Sequence, residues 1–121
     1  MKIICACGQL IHDGTDALPH KAHLIPDQAW HGLFDRLDEV IAHECQTIAQ
    51  RESAKTLMRA LIGGASRNAW QCGGCGRLYV HDGAGQLQCY VPADALTSRA
   101  ALSGTVSWAT SAGSAGYLHA P

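Results

Sequence analysis

Residues 70–80 read Trp-Gln-Cys-Gly-Gly-Cys-Gly-Arg-Leu-Tyr-Val, and residues 3–11 read Ile-Ile-Cys-Ala-Cys-Gly-Gln-Leu-Ile. In both stretches a strand-like segment leads to a close pair of cysteines, a glycine follows, and a second strand-like segment leads away. Structural zinc takes four ligands in a tetrahedron, and thiolate sulfur is its preferred donor in closed sites. Neither pair completes such a site alone. The shared pattern therefore predicts one joint zinc site formed by Cys5, Cys7, Cys72 and Cys75.

The two cysteine turns resemble the knuckles of a zinc ribbon, a fold in which strand hairpins clamp one zinc. The second turn is especially similar to the C-terminal knuckle of bacterial zinc ribbons, whereas the first, Cys-x-Cys, is one residue shorter than the usual Cys-x-x-Cys. The resemblance covers residues 1–12 and 69–92 and implies a structural zinc. The long segment between the knuckles implies a helical insertion.

Other interpretations of these cysteines stay open. In the first, Cys5 and Cys7 are small buried apolar side chains. A redox role for the second pair is the next alternative, although redox Cys-x-x-Cys motifs sit at a helix N-terminus and this one runs into strand-like residues. In a third, a histidine replaces one cysteine ligand. The candidates are His12, His20, His23 and His81. The remaining cysteines, Cys45 and Cys89, are interpreted as apolar filling.

The segment between the knuckles predicts helices over about residues 27–62. Apolar residues recur at spacings of three, four and seven, which is one face of an amphipathic helix. Asp27 is expected as the N-cap, and Gly63-Gly64 as the end. The pattern falters at Arg51 and Glu52, so either one long helix bends near residue 50 or two helices share a short joint.

The remaining segments complete an α+β fold. Residues 15–26 are expected as irregular loop, and residues 69–91 as a hairpin with a glycine turn at 82–85. The predicted organisation is a zinc-ribbon-like domain over residues 1–92, whose β-hairpins are clamped by one zinc with four cysteine ligands, with an inserted helical hairpin or long bent helix. A tail rich in Ala, Ser and Gly follows over 93–121, with a short helix at 94–102.

Composition narrows the functional classes. The net charge is −1, which is not the basic excess typical of proteins that bind a phosphate backbone. No stretch reaches the roughly 20 apolar residues of a membrane span. The N-terminus lacks the pattern of a signal peptide. We therefore expect a cytoplasmic chain, in which clustered cysteines are more often metal ligands than disulfides.

Four familiar catalytic motifs are absent from the sequence, although scattered histidines and aspartates could still converge in the fold. His43-Glu44 has no second histidine at the H-E-x-x-H spacing, and the zinc deaminase signature, the Walker loop and the G-x-S-x-G elbow are missing. Four cysteine ligands would also leave no open position for water on the zinc. The expectation is a protein that is not an enzyme.

The charges along the helical segment suggest a partner surface. Acidic residues dominate its first half, and Arg51, Lys55 and Arg59 form a basic row in the second. Macrodipole complementarity accounts for such a distribution, and a contact surface is the sharper interpretation. In size and cysteine framing the chain resembles the small bacterial immunity proteins of polymorphic toxins. This implies occlusion of a toxin by an acidic surface, with Asp35, Asp38 and Glu39 as candidates. The alternative is a regulatory, nucleic-acid-binding zinc ribbon.

Overall fold

The computed structural model describes residues 1–106. They form six β-strands and two α-helices, which confirms the predicted α+β class. In chain order the elements are β1 (Lys2–Ile4), β2 (Leu10–His12), β3 (Lys21–Leu24), α1 (Asp27–His43), α2 (Ile48–Ala65), β4 (Arg67–Gln71), β5 (Leu78–His81) and β6 (Leu87–Tyr90). Within this range neither helix combines the length and hydropathy that crossing a bilayer requires.

The strands form two antiparallel sheets. The first is the β1–β2 hairpin, and the second has the order β3-β4-β5-β6. The helices are inserted between β3 and β4, which pair with Leu24 opposite Arg67. The helical hairpin therefore leaves and re-enters the sheet at one end. Cys72 follows the opposite end of β4, so the helices and the second knuckle lie at opposite ends of this sheet.

The core lies between the two sheets. Trp70 on β4 and Tyr79 on β5 are directly opposite each other in the register, and both are buried. Ile3 and Ile11 of the β1–β2 hairpin pack in the same cluster. The Trp70 indole Nε1 donates a hydrogen bond to Asp13 Oδ2 at 3.0 Å, and Lys21 Nζ lies 2.8 Å from the same oxygen. We call this unit, both sheets with the knuckles, the platform.

The helical segment is a hairpin of two helices rather than one bent helix. The break lies at residues 44–47 and not near residue 50, because Thr47 and Gln50 form a capping box that starts α2. Gln50 N donates to Thr47 Oγ1, and Thr47 N donates to Gln50 Oε1, both at 3.1 Å. These two bonds satisfy backbone N–H groups that have no partner inside the helix. Arg51, where the apolar pattern falters, lies in the first turn of α2.

Three boundary predictions were wrong. Asp27 is the first helical residue, and Pro26 occupies the N-cap position without a side-chain cap. Gly63-Gly64 continues the helix, which ends at Ala65. Residues 21–24 are not loop but form β3, since β4 supplies a partner strand that local sequence does not reveal.

The segment after β6 folds back onto the second knuckle. Residues 94–102 form turns rather than the predicted short helix. The buried Gln71 side chain donates to Ser98 O at 2.9 Å and accepts from Ala101 N at 2.8 Å. Arg99 Nη1 donates to Gly74 O at 2.7 Å. The predicted domain boundary at residue 92 stays a prediction, and most of the predicted tail, residues 107–121, lies outside the described residues.

Candidate metal centre

The two knuckles share one backbone design. In the first, Cys5 N donates to Gln9 O at 2.9 Å, and Gly8 N donates to Cys5 O at 2.8 Å. In the second, Cys72 N donates to Arg77 O, and Gly76 N donates to Cys72 O, at the same distances. Gly8 has φ +95° and Gly76 has φ +82°, a region that favours glycine. The second turn closes the same bonds with one additional residue.

The knuckles bring all four predicted ligands together. The sulfurs of Cys5, Cys7, Cys72 and Cys75 lie within 4.8 Å of one another. Across the two knuckles, Cys5 Sγ lies 3.4 Å from Cys75 Sγ, and Cys7 Sγ lies 3.6 Å from Cys72 Sγ. All four are free thiols.

The donor set fits a tetrahedral thiolate site. A zinc–sulfur bond of about 2.3 Å in a tetrahedron places the sulfurs roughly 3.8 Å apart. The cross-knuckle distances of 3.4 and 3.6 Å and the upper limit of 4.8 Å bracket that separation. The cluster is therefore able to bind a metal ion.

Hydrogen bonds to the Cys5 sulfur favour its thiolate form. Tyr79 Oη donates to Cys5 Sγ at 3.3 Å and accepts from Ala6 N at 3.0 Å. Burial raises the pKa of the Cys5 thiol, but hydrogen bonds from the Tyr79 hydroxyl and the Cys7 backbone N–H outweigh it and lower that pKa to about 6. The bond to Cys5 raises the pKa of Tyr79 to about 12, so the hydroxyl keeps its proton and acts as a donor.

Two of the other sulfurs differ, since the thiolate form is favoured at Cys75 and disfavoured at Cys7. The backbone N–H of Arg77 lowers the pKa of Cys75, and the Arg77 guanidinium, whose Nη1 lies 3.3 Å from the sulfur, lowers it further. The backbone N–H of Gln9 lowers the pKa of Cys7, yet the neighbouring Cys5 sulfur and burial outweigh it and raise that pKa to about 11. Adjacent thiolates repel one another, and a bound cation relieves that repulsion.

The structure does not bring a histidine into the cluster. Among residues 1–106 the group that can hold a metal consists of the four cysteines alone. His20 Nε2 lies 2.6 Å from the carbonyl oxygen of His12, and the His81 ring packs edge-on against Trp70. His23 is exposed on β3.

The structure also bears on the redox interpretation of the second pair and on the roles of Cys45 and Cys89. The Cys72–Cys75 turn leads into β5 and not into a helix, so it lacks the helix N-terminus typical of redox pairs. Cys45 is half-buried in the joint between the helices, 3.6 Å from Val40 O. Cys89 on β6 is exposed, so its interpretation as apolar filling is wrong.

The candidate partner residues lie far along the chain from the cysteine cluster, on α1. Asp35, Asp38 and Glu39 are all exposed. Glu39 forms an ion pair with Arg36 three residues earlier. Asp35 and Asp38 take part in none of the ion pairs found within residues 1–106. The structure therefore leaves the charges of these two aspartates available to solvent.

Sequence reasoning missed the groups that surround the sulfurs. Arg77 was given no role by the sequence, yet it contacts Cys75. Its position two residues after a ligand is the one signal that could have identified it. Tyr79 reaches Cys5 across 74 residues of sequence. No local pattern indicates such a contact.

The fold and the site define an α+β protein with a four-cysteine cluster able to bind a metal ion. A family model described as a domain of unknown function (DUF8617) matches residues 1–94. This range is more than half of the chain, which therefore belongs to that family. It contains both knuckles, the helical hairpin and all six strands of the described residues. No curated protein and no solved structure matches the chain.

Proposed function

We propose that the four cysteines hold one structural zinc ion, and that the chain is a non-catalytic protein-binding module built on that zinc-ribbon-like centre. Four thiolates suit zinc and are poor ligands for hard cations such as magnesium or calcium. They would also fill every position of a tetrahedral ion, leaving none for a reacting water. Tyr79 and Arg77 would stabilise the liganding sulfurs of Cys5 and Cys75 by hydrogen bonds.

One observation supports protein binding above all. The helical hairpin carries large apolar side chains that the platform does not cover. Trp30, Phe34 and Ile41 on α1 are 41%, 42% and 54% exposed. Exposed aromatic side chains grouped on one element are typical of protein–protein contacts. A metal-clamped platform would anchor the two ends of this hairpin, which are joined to the paired strands β3 and β4.

The partner proposed is a basic protein, in the manner of an immunity protein that neutralises a toxin by occlusion. The exposed carboxylates of Asp35 and Asp38 support a positively charged partner, because complementary charge speeds association and excludes wrong partners. Glu39 contributes less under this proposal, since Arg36 already neutralises it.

Nucleic-acid binding has less support from the geometry. Such binding would use exposed aromatic side chains of the β4–β5–β6 hairpins to stack on bases. Trp70 and Tyr79 are buried, and Arg77 is engaged with a cysteine sulfur. Tyr90 is exposed, as is the basic row of α2.

Elemental analysis of the purified chain tests the metal. We expect about one zinc per chain, lost in Cys72→Ser together with the fold. Cys89→Ser is the matched control, because this exposed cysteine lies outside the cluster. A chain that contains no metal, or that keeps its fold after losing it, contradicts the structural site.

Co-purification tests the partner. The chain is expressed together with the product of the neighbouring gene, as wild type and as the variant Asp35→Lys. Both forms are expected to bind zinc, and only the wild type to retain the partner. Equal retention rules out the acidic surface. Binding that weakens steeply with salt and is competed by DNA or RNA favours the nucleic-acid alternative.

A further inference from the structure

One side of the helical hairpin carries a group of uncovered apolar side chains contributed by both helices. We call it the open face. It consists of Trp30, Phe34 and Ile41 on α1 with Ile48 and Ile62 on α2. The two α2 isoleucines are 78% and 43% exposed. Such a large group of exposed apolar side chains is unusual for a protein surface that stays in water.

The open face is continuous across the two helices. Leu33 and Val40 on α1, and Ala54 on α2, are buried where the helices contact each other. Each residue turns about 100° around the helix axis. On α1 the side chains of the open face are therefore rotated by roughly 60–100° from the buried Leu33, and on α2 by roughly 80–120° from the buried Ala54. A joint of four residues makes the two helices antiparallel. Because the contact sides of antiparallel helices face each other, an equal rotation along each chain turns both groups toward the same side of the hairpin.

The two halves of this side carry opposite charge. Over its whole length helix α1 has four acidic side chains and one basic, and α2 has three basic and one acidic. Asp38 borders the open face on α1. Lys55 and Arg59 border it on α2, interleaved with the isoleucines, and Lys55 also forms an ion pair with Glu52 of its own helix. A surface with an apolar centre, an acidic half and a basic half is complementary to itself when turned by a two-fold rotation.

We propose that two copies of the chain form a two-fold dimer through the open face, with α1 of one copy lying on α2 of the other. This rests on the helical hairpin being the protein-binding surface, as proposed above, and it assigns one side of that surface to a second copy. Asp35 lies further round α1, on the side away from the open face. It stays accessible to a different partner.

The axial positions along the helices match in this arrangement. With a rise of about 1.5 Å per residue, Trp30 lies roughly 4.5 Å from the sheet end of α1, and the partner's Ile62 lies at the same level of α2. Asp38 lies at roughly 16 Å and the partner's Lys55 at roughly 15 Å. The other two-fold arrangement, with like helices in contact, places one basic row on the other. Charge therefore favours α1 on α2.

Sedimentation of the full chain at about 100 µM in low salt tests the dimer, a concentration at which even a weak dimer is populated. The wild type is expected at twice the mass of one chain. Phe34→Glu and Ile62→Glu each place a charge in the interface and are expected to weaken association roughly a hundredfold. Leu96→Glu is the matched control, since Leu96 is 93% exposed and lies outside the helical hairpin. It is expected to leave the dimer intact.

Charge exchange tests the arrangement of the helices. Asp38→Lys alone brings like charges together at both symmetric contacts, as does Lys55→Asp alone. Each is expected to weaken self-association about tenfold. An equimolar mixture of the two variants restores opposite charges at one of the two contacts, so a heterodimer is expected to form more readily than either homodimer. If mixing restores nothing, the proposed packing of α1 on α2 is wrong.

A wild-type chain that stays at the mass of one copy overturns the dimer. Zinc content and co-purification of a partner are measured separately, so failure of the dimer leaves the proposed function standing.

Discussion

The platform and the helical hairpin are built in opposite ways. On the platform, short strands of three to five residues are held by long-range contacts, and Trp70 and Cys72 are completely buried. The hairpin consists of two helices of 17 and 18 residues whose hydrogen bonds are local, and it buries few side chains. Strands this short depend on partner strands for their backbone hydrogen bonds, whereas each helix makes its own and gains further stability where α1 and α2 pack together.

This difference suggests that the platform and the hairpin have separate roles. The platform needs its cysteine cluster because its apolar core consists of few residues, with aromatics at only 6% of the chain. The hairpin carries none of the four clustered cysteines, and its exposed apolar side chains are available for contacts with other chains. Five experiments sharpen this comparison, from the largest expected effect to the smallest.

Metal removal is expected to have the largest effect. Structural zinc contributes apparent stability on the order of 10 kcal/mol in small zinc domains. A chelator, or Cys72→Ser, should therefore abolish the near-ultraviolet circular dichroism of buried Trp70 and Tyr79. The helical signal in the far ultraviolet should keep a larger share of its intensity. Proportional loss of both signals would show that platform and hairpin unfold as one unit.

The two regions should respond differently to the same substitution at tryptophan. Trp70→Ala removes a fully buried ring and its bond to Asp13, and is expected to cost about 3–5 kcal/mol of unfolding free energy. Trp30→Ala on the hairpin is expected to cost about 1 kcal/mol or less. Urea unfolding at low chain concentration, where self-association does not contribute, measures both. Equal costs would refute the contrast.

Tyr79→Phe tests the hydrogen bond to the Cys5 sulfur. Without the hydroxyl, the pKa of Cys5 rises and a donor to the metal-bound thiolate is lost. Zinc affinity is expected to fall roughly tenfold, as for other groups that orient metal ligands. Competition with a chromogenic chelator measures the affinity. Tyr90→Phe, at an exposed tyrosine of the same sheet, serves as control and should change nothing.

Thr47→Ala probes the start of α2. The substitution removes the acceptor for Gln50 N and should cost about 1 kcal/mol. Thr56→Ala, at an exposed position within α2, is the matched control and should be neutral or slightly stabilising. Helical signal and thermal midpoint measure the result. A destabilised control alongside an unaffected Thr47→Ala would contradict the capping box.

Asp13→Asn should have the smallest effect and a defined pH dependence. The hydrogen bond from Lys21 lowers the pKa of Asp13, so this carboxylate stabilises the fold at pH values above its ordinary pKa. That contribution is lost only as pH falls through the lowered value. The difference in thermal midpoint between wild type and variant should therefore stay constant between about pH 7 and pH 5. If the wild type and the variant come to the same thermal midpoint in that range, the ion pair is contradicted. Asp16→Asn, in the exposed loop, is the control.

The parts of the fold that the sequence predicted are those set by residues close together in the chain. Residues 5–8 and 72–76 indicated two knuckles, and the period of α1 and α2 indicated helices. The choice between one bent helix and two helices stayed open because the prediction followed apolar spacing and overlooked Thr47-x-x-Gln50, which is a start signal. β3 was missed because residues 21–24 are a strand only when paired with β4.

The metal centre shows the same difference between local and long-range features. The identity of the four clustered cysteines followed from spacing and residue type, because two sulfurs on one turn present a recognisable half-site. Tyr79 acquires its contact with the Cys5 sulfur only where the β1–β2 hairpin meets the larger sheet. The sequence also did not indicate that Gln71 would be buried and bonded to residues 98 and 101.

By itself the sequence determined the ligand-bearing turns, the two amphipathic helices and the α+β class, since each depends on residues close together in the chain. Tertiary structure alone decided which sulfurs face each other across the two knuckles, and that Trp70 is buried while Trp30 is exposed. It also decided that the acidic and basic helices carry their apolar residues on one side. These properties depend on which distant segments are in contact, and that is set by the packing of the whole chain.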